Sequence, residues 1–364
     1  MSDELYERLR ETADRWGIGF AAHSTGVDIR LLRKLFTAED ARLWIHLTDC
    51  LELPAAVAER AGRNDVAQVA VELEELKDKG LTFVKRKNGN SYYCAVPFAH
   101  GLYEHSMKLM DRELAELYYE FFNSIDKQIQ KGPVVERAMP IGVTLRTVPI
   151  NRVIDSSGPV AAYDDAREII KTKERIAVAD CICAVVMDRI GKGCEADRPK
   201  EVCLHFGFYA ENSVEQGIAR WITREEALKI LDETEAAGMI HQPANMEDPE
   251  TMCNCCPDCC RELGVFRQFP NPAALIPSNF FTKTKTELCD GCGICTDRCV
   301  FGAITVNGAK TADTDVDKCI GCGLCVPVCP NEAREFVAKS EEAHQAPPEK
   351  TLFLKHSAEY EDMI

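Results

Sequence analysis

Two cysteine runs near the C-terminus, Cys289-x-x-Cys292-x-x-Cys295-x-x-x-Cys299 and Cys319-x-x-Cys322-x-x-Cys325-x-x-x-Cys329-Pro330, carry the most specific chemistry in this chain. Three thiolates on one tight loop can each reach a different iron of a cubane cluster, while a fourth, set back by a turn, ligates the cube of the other repeat. The spacing therefore predicts two 4Fe-4S clusters with crossed ligation. One would take Cys289, Cys292, Cys295 and Cys329, the other Cys319, Cys322, Cys325 and Cys299. Gly291, Gly293, Gly321 and Gly323 lie between these cysteines, where the loop needs backbone angles that a side chain resists and amide N–H groups must turn toward sulfur. Zinc ribbons and disulfides are the competing uses of paired cysteines, and neither produces this spacing twice.

After each run comes a short apolar stretch, Ala303-Ile304-Thr305-Val306 and Glu335-Phe336-Val337, fit to pair as small strands beside the clusters. Residues from about 284 to 337 resemble a bacterial two-cluster 4Fe-4S ferredoxin across both motifs and both flanks. The first repeat departs from that pattern at Val300, where the resemblance implies a proline after the fourth cysteine.

Of the eleven cysteines beyond those eight, nine fall in one segment: Cys181, Cys183, Cys194, Cys203, Cys253, Cys255, Cys256, Cys259 and Cys260. Cys253, Cys256 and Cys259 repeat the C-x-x-C-x-x-C spacing and predict three ligands to a third cube, with Cys260 or one of the upstream group as the fourth. The upstream thiols suffice for a further cube, so one or two clusters are expected here. Structural zinc is the alternative, because four thiolates on loops also close a tetrahedral site. A cluster of higher nuclearity or with a replaceable ligand could use His205 or His241. The arrangement Cys181-x-Cys183, Gly191-x-x-Cys194-x(8)-Cys203 and Cys253-Asn-Cys-Cys is similar to a set of anaerobe iron-sulfur proteins in which this segment precedes a ferredoxin domain. That resemblance implies architecture and no particular activity.

Thr223-Arg224-Glu225-Glu226 fits a capping box, predicting a helix over 224–237 that ends at Gly238 and brings the two cysteine groups together. Gly191-Lys192-Gly193-Cys194-Glu195-Ala196 matches a dinucleotide fingerprint formally, but Pro199 follows where the phosphate-binding helix would continue. A metal loop is the better reading. No G-x-x-x-x-G-K-S/T run occurs, which disfavours nucleotide hydrolysis, and no D-x-H-x-x-G run suggests a corrinoid. No acid, base or nucleophile constellation identifies catalytic residues.

The rest of the chain must position these thiols. From residue 38 the pattern gives a helix with Leu43, Trp44 and Leu47, a short helix over 54–61, a helix over 65–79, and two strands, 81–85 and 91–96, turning at Asn88-Gly89. This order over about 35–98 resembles a winged helix, which implies a DNA-binding or protein-binding module. Asp65, Glu72, Glu74, Glu75 and Asp78 on the third helix outnumber Lys77 and Lys79, so that helix would meet phosphate with net negative charge. Protein contact or dimerisation is preferred over DNA, although Lys85, Arg86 and Lys87 make a basic wing. Cys50 and Cys94 read as core thiols. Over 111–129, Leu114, Leu117, Tyr118, Phe121, Phe122 and Ile125 form an apolar stripe suited to a core or a dimer seam. Lys131-Gly132-Pro133 ends that helix, and 140–149 reads as an extended linker.

The expected fold is therefore α+β and multidomain: a winged-helix-like module (1–100), a helical connector and linker (101–155), a cysteine-rich α+β domain (156–278), a two-cluster ferredoxin-like domain (279–337) and an acidic tail (338–364), mobile or used for docking. A 46% hydrophobic content supports packed cores. No apolar run spans a membrane and the start lacks a signal-peptide pattern, so a cytoplasmic location with reduced thiols is expected. A net charge of -16 and a pI near 5.1 repel nucleic acid and anionic lipid and suit docking to a basic face. The functional expectation is an iron-sulfur electron carrier that associates with itself or with a partner oxidoreductase. A redox-responsive winged-helix regulator and a reductase with an open-site central cluster are the alternatives.

Overall fold

The structure, a computed structural model, describes residues 2–15, 19–129, 145–157 and 160–348. The N-terminal part begins with α1 (Ser2–Ala13), α2 (Val27–Leu35), α3 (Ala38–Trp44), α4 (Pro54–Arg60) and α5 (Val66–Asp78). Thr37 and Asp40 start α3 with a capping box, each side chain accepting from the other's backbone N–H. Pro54 starts α4, where its missing N–H costs nothing. Strands β1 (Thr82–Lys87) and β2 (Asn90–Ala95) form a hairpin through Asn88 (φ 52°) and Gly89 (φ 78°), a two-residue turn with both φ angles positive. Helices followed by a hairpin is the element order on which the winged-helix resemblance rests.

Helix α6 (Arg112–Ile129) packs on α2, and it buries Leu114, Leu117, Tyr118 and Phe121 in the chain's own core. The residues where this helix was expected to end at Lys131-Gly132-Pro133, and the first half of the expected linker, lie outside those described. From Leu145 the chain runs against the central domain, with bridges from Leu145 to Ala244 and from Val148 to His241, then enters α7 (Asn151–Ser157) and α8 (Ala166–Thr172).

The central domain is a five-stranded antiparallel sheet made of β3 (Ile176–Asp180), β4 (Glu201–Phe206), β5 (Ala219–Ile222), β6 (Ile240–Pro243) and β7 (Thr251–Cys255), in the order β5-β3-β4-β7-β6. Alternation along the strands gives the two faces different tasks. Ile176, Val178, Leu204, Phe206 and Met252 join Ile169, Ile170, Ala227, Ile230 and Leu231 in an apolar core under α8 and α11 (Arg224–Ala236). The opposite face carries Cys203, His205, Cys253 and Cys255. It is covered by α9 (Ile182–Arg189), α10 (Gly207–Gln216), the β1 strand and the segment from Phe98 to Leu109. α9 also packs on α6, so the N-terminal part and this face share one hydrophobic core.

After α12 (Arg261–Phe266) comes the C-terminal part, with β8 (Phe280–Thr284), α13 (Ile294–Arg298), β9 (Ile304–Val306), β10 (Ala312–Thr314) and β11 (Arg334–Ala338). Both stretches expected as strands are strands. Each finds its own partner, β9 with β10 and β11 with β8, rather than the two pairing together. Residues 339–348 return to the body, where Gln345 N–H donates to Asn279 Oδ1 and Glu247 N–H to the Pro348 carbonyl; the remainder of the tail is outside the described residues. No helix among the described residues is long and apolar enough to cross a membrane.

Candidate metal centres

The C-terminal thiols line two cavities. Cys289, Cys292, Cys295 and Cys329 line one together with Gly291 and Arg334; Cys299, Cys319, Cys322 and Cys325 line the other. These are the two sets that the crossed spacing predicts. Backbone N–H groups already point at sulfur: Ala312 N donates to Cys289 Sγ (3.4 Å), Ala303 N to Cys299 Sγ (3.2 Å) and Ala333 N to Cys329 Sγ (3.3 Å). Such donors stabilise thiolate charge. Gly291 and Gly321 are obligatory. Both have positive φ, and a Cβ would stand 2.5 Å from the Lys310 carbonyl oxygen and 2.3 Å from that of Phe280. Four thiols around a cavity, with amides aimed at sulfur, fit a cubane in each.

Of the nine central cysteines, six form a connected row on the thiol face of the sheet: Cys181 beside Cys183, then Cys260, Cys255, Cys253 and Cys203. Sheet register explains part of it, because pairing Leu204 with Met252 puts Cys203 opposite Cys253. Helix starts explain the rest. Cys181 is the N-cap of α9 and Cys260 the N-cap of α12, whose side chain accepts from Leu263 N–H (3.5 Å). Contact with neighbouring thiols pulls Cys183 and Cys253 well below the ordinary thiol range, while Cys181, Cys203, Cys255 and Cys260 are pushed well above it. A metal would deprotonate all six.

The N-terminal part closes this row. Tyr103 Oη donates to Cys183 Sγ at 3.6 Å, and His100 interacts with Cys253. Burial alone would lower the His100 pKa, but Cys253 and the Glu104 carboxylate bring it up to about 9. Burial raises Glu104 to about 7, against the pull of His100 and of the Gly101 N–H, which donates to Glu104 Oε2 at 2.6 Å. Nothing in the sequence singled out His100 or Tyr103, which lie some eighty residues or more before the thiols they touch.

The other three central thiols stand apart. Cys194, Cys256 and Cys259 have their sulfurs within 4.8 Å of one another, Cys194 and Cys256 being 3.5 Å apart. Arg198 Nη1 lies 3.4 Å from Cys194 Sγ and pairs with Asp258 Oδ2 at 2.5 Å. Hydrogen bonding from Cys259, assisted by backbone N–H groups, lowers Cys256 to about 5 despite its burial.

This partition differs from the expected trio of Cys253, Cys256 and Cys259. Those three do not meet, because Cys253 belongs to a strand and shares its face with Cys255, whereas Cys256 lies beyond the strand end and turns to the other side. The two cysteine groups are joined by the pairing of β4 with β7; α11, with its Thr223 cap, lies on the opposite face. His241 is also on that opposite face and is fully buried, its Nδ1 against Asn254 Oδ1 (2.5 Å) and its Nε2 against Glu235 Oε1 (3.2 Å), which leaves no nitrogen for a metal. His205 does face the thiols. It packs edge-on to Tyr209, and burial lowers it to about 3. The Gly191–Ala196 stretch follows a helix rather than a strand, so the dinucleotide context is missing, and its Cys194 joins the three-thiol group.

Residues 288–333 match the family model described as a 4Fe-4S dicluster domain. No curated protein and no solved structure matches the chain. The C-terminal part is a 4Fe-4S ferredoxin-type domain, joined here to a separate cysteine-rich region.

Proposed function

We propose that the protein relays single electrons between its two C-terminal clusters and a centre on the six-thiol row, serving a partner oxidoreductase. The observation that carries this reading is the packing between thiol groups. Cys289, Cys295, Cys299 and Cys325, drawn from both ferredoxin sets, meet in one small apolar cluster with Ile304 and Ala312. Cys322 of the second set shares another apolar cluster with Cys253, Cys255 and Cys260 of the central row, around Ile240, Leu263 and Leu324. Three centres built on these thiols would follow one another through continuous apolar packing. Iron-sulfur clusters supply the one-electron chemistry; the chain supplies ligands, hydrogen bonds to sulfur and exclusion of water, which set the potentials.

The N-terminal part supports a docking role rather than DNA binding. Lys85 pairs with Glu211, and Arg86 pairs with Glu74 and Glu215, so two of the three basic wing residues are engaged within the chain. On α5 acidic side chains are engaged as well, Asp65 and Glu72 with Arg63, Glu74 with Arg86 and Asp78 with Lys77, so that helix offers phosphate no free basic surface.

One observation favours a second reading, a substrate-reducing centre: His100, Glu104 and Tyr103, groups able to carry protons, wall the six-thiol row. Anaerobic purification with iron and sulfide analysis, followed by stepwise reduction under electron paramagnetic resonance, tests the relay. Signals beyond the two ferredoxin cubes, with magnetic coupling between neighbouring centres, are expected. About eight irons and no further signal would overturn it.

A further inference from the structure

We infer that Cys194, Cys256 and Cys259 bind one tetrahedral divalent cation of the zinc class, distinct from the iron-sulfur centres, with Asp258, whose Oδ2 lies beside Cys194 Sγ, offered for the fourth position. Geometry separates this trio from the cubane sites. Sulfurs sharing one zinc at about 2.3 Å stand about 3.8 Å apart along the edges of a tetrahedron. Here the three sulfurs lie within 4.8 Å and one pair is at 3.5 Å. Ligands of a cube sit on different irons and must stand further apart. Among the described residues, no other trio of metal-binding side chains, including those of both ferredoxin sets, comes this close.

The surroundings suit a closed cationic site. Cys256 and Cys259 are buried, at 4% and 1% exposure, on the turn between β7 and α12. Cys194 comes from the loop after α9, so the ion would tie two segments sixty residues apart. Asp258 Oδ2 lies 3.4 Å from Cys194 Sγ, close to the tetrahedral edge length. Three thiolates and a carboxylate leave two negative charges on a divalent ion. Arg198 offsets one of them, its Nη1 reaching Cys194 Sγ, Cys256 Sγ (3.7 Å) and Asp258. It would orient the ligands from outside the coordination sphere.

The inference depends on the central cysteines being ligands but not on electron relay, and the two fail differently. The test uses the full chain, purified without oxygen, reconstituted with iron and sulfide, loaded with Zn(II) and freed of loose metal by chelator. About one zinc per chain is expected beside the iron. Cys194→Ser should lower zinc at least tenfold and leave iron and its resonance signals unchanged. Co(II) in place of Zn(II) should give sulfur-to-cobalt charge-transfer bands and tetrahedral d–d bands that Cys194→Ser abolishes and Asp258→Asn shifts. Absence of zinc in the wild-type chain overturns the proposal. So does a loss of about four irons in Cys194→Ser, which would assign the trio to a cube. Loss of the relay signals with zinc retained would count against the relay alone.

Discussion

The Arg334 guanidinium lies 3.8 Å from Cys325 Sγ, in the second ferredoxin set, while its side chain also lines the cavity of the first set. It is 3% exposed and donates to the hydroxyls of Thr282 (2.5 Å), Thr284 (2.5 Å) and Thr314 (2.8 Å), so among the described residues its partners are hydroxyls and a thiol, with no carboxylate. The equivalent position in the first repeat, five residues past the last cysteine, is Ile304, equally buried. One repeat therefore carries a buried charge where the other carries a branched aliphatic side chain. A positive charge favours the reduced, more negative state of both clusters. Arg334→Ile should lower both potentials, by about 59 mV for each ~1.4 kcal/mol of interaction lost in a one-electron step. Arg334→Lys should retain most of the original value. Potentiometric titration followed by electron paramagnetic resonance reads this directly, and unchanged potentials at full iron content would remove Arg334 from the tuning set.

Arg146 and Asp164 form an ion pair at 2.6 Å, exposed by 1% and 0%. Asn279 donates to Asp164 Oδ2 at 2.8 Å, and the Gln345 carbonyl accepts from both Arg146 and Asn279. The pair thus pins the segment leading into the central domain, the ferredoxin part and the returning tail at one point. Breaking it from one side leaves a buried charge uncompensated, so Asp164→Ala should cost about 3–5 kcal/mol. The double change Arg146→Met with Asp164→Leu should cost far less, because no charge is stranded. Urea unfolding of both variants distinguishes a pair that stabilises from one that only must not be broken.

The grouping of the eight C-terminal thiols around two cavities was legible because its information is local: three cysteines per loop and one set back, with glycine where the backbone must approach. The Asn88-Gly89 hairpin and the Thr223 cap were legible for the same reason, each being decided within a few residues. The central thiols were not. C-x-x-C spacing read along the chain assumes a loop, but residues 251–255 are a strand, and strand alternation assigns Cys253 and Cys255 to one face while Cys256 departs to the other. Which thiols meet is then decided by β4 pairing with β7, and what walls them by His100 and Tyr103 arriving from the N-terminal part, and no short-range pattern records that.

Val84 N–H donates to Asn212 Oδ1 at 2.7 Å, a buried bond between the hairpin and α10. Beside it, Phe83 packs edge-on against Phe208 and Tyr209. The more conspicuous pairs across this boundary, Arg86 with Glu215 and Lys85 with Glu211, are part-exposed. Burial decides their ranking. Asn212→Ala strands a buried N–H and should cost about 1–3 kcal/mol, whereas Arg86→Gln should cost less than about 1 kcal/mol through its exposed pairs. Chemical denaturation of the two variants measures the difference. The reverse order would mean that the N-terminal part is held on by surface charge, and its attachment would then weaken in salt.

Glu74 gives the N-terminal part an acid-sensitive joint. Its carboxylate accepts from Arg86 Nη1 (2.5 Å) and Nη2 (2.9 Å) and from the Tyr93 hydroxyl. Arg86 is the largest cause of its shift; burial opposes it and Tyr93 assists, and the result is a carboxyl held near 2 instead of the ordinary 4.5. A depressed folded-state value means that the unfolded chain takes up the proton first. The contribution is therefore complete above about pH 4.5 and is lost as the pH falls toward 2. Glu74→Gln should flatten the stability profile across that window and leave its slope above pH 5 unchanged. Denaturation midpoints of the two proteins at a series of pH values test this. A parallel shift at every pH would show that Glu74 acts through packing alone, with the Arg86 charge irrelevant to it.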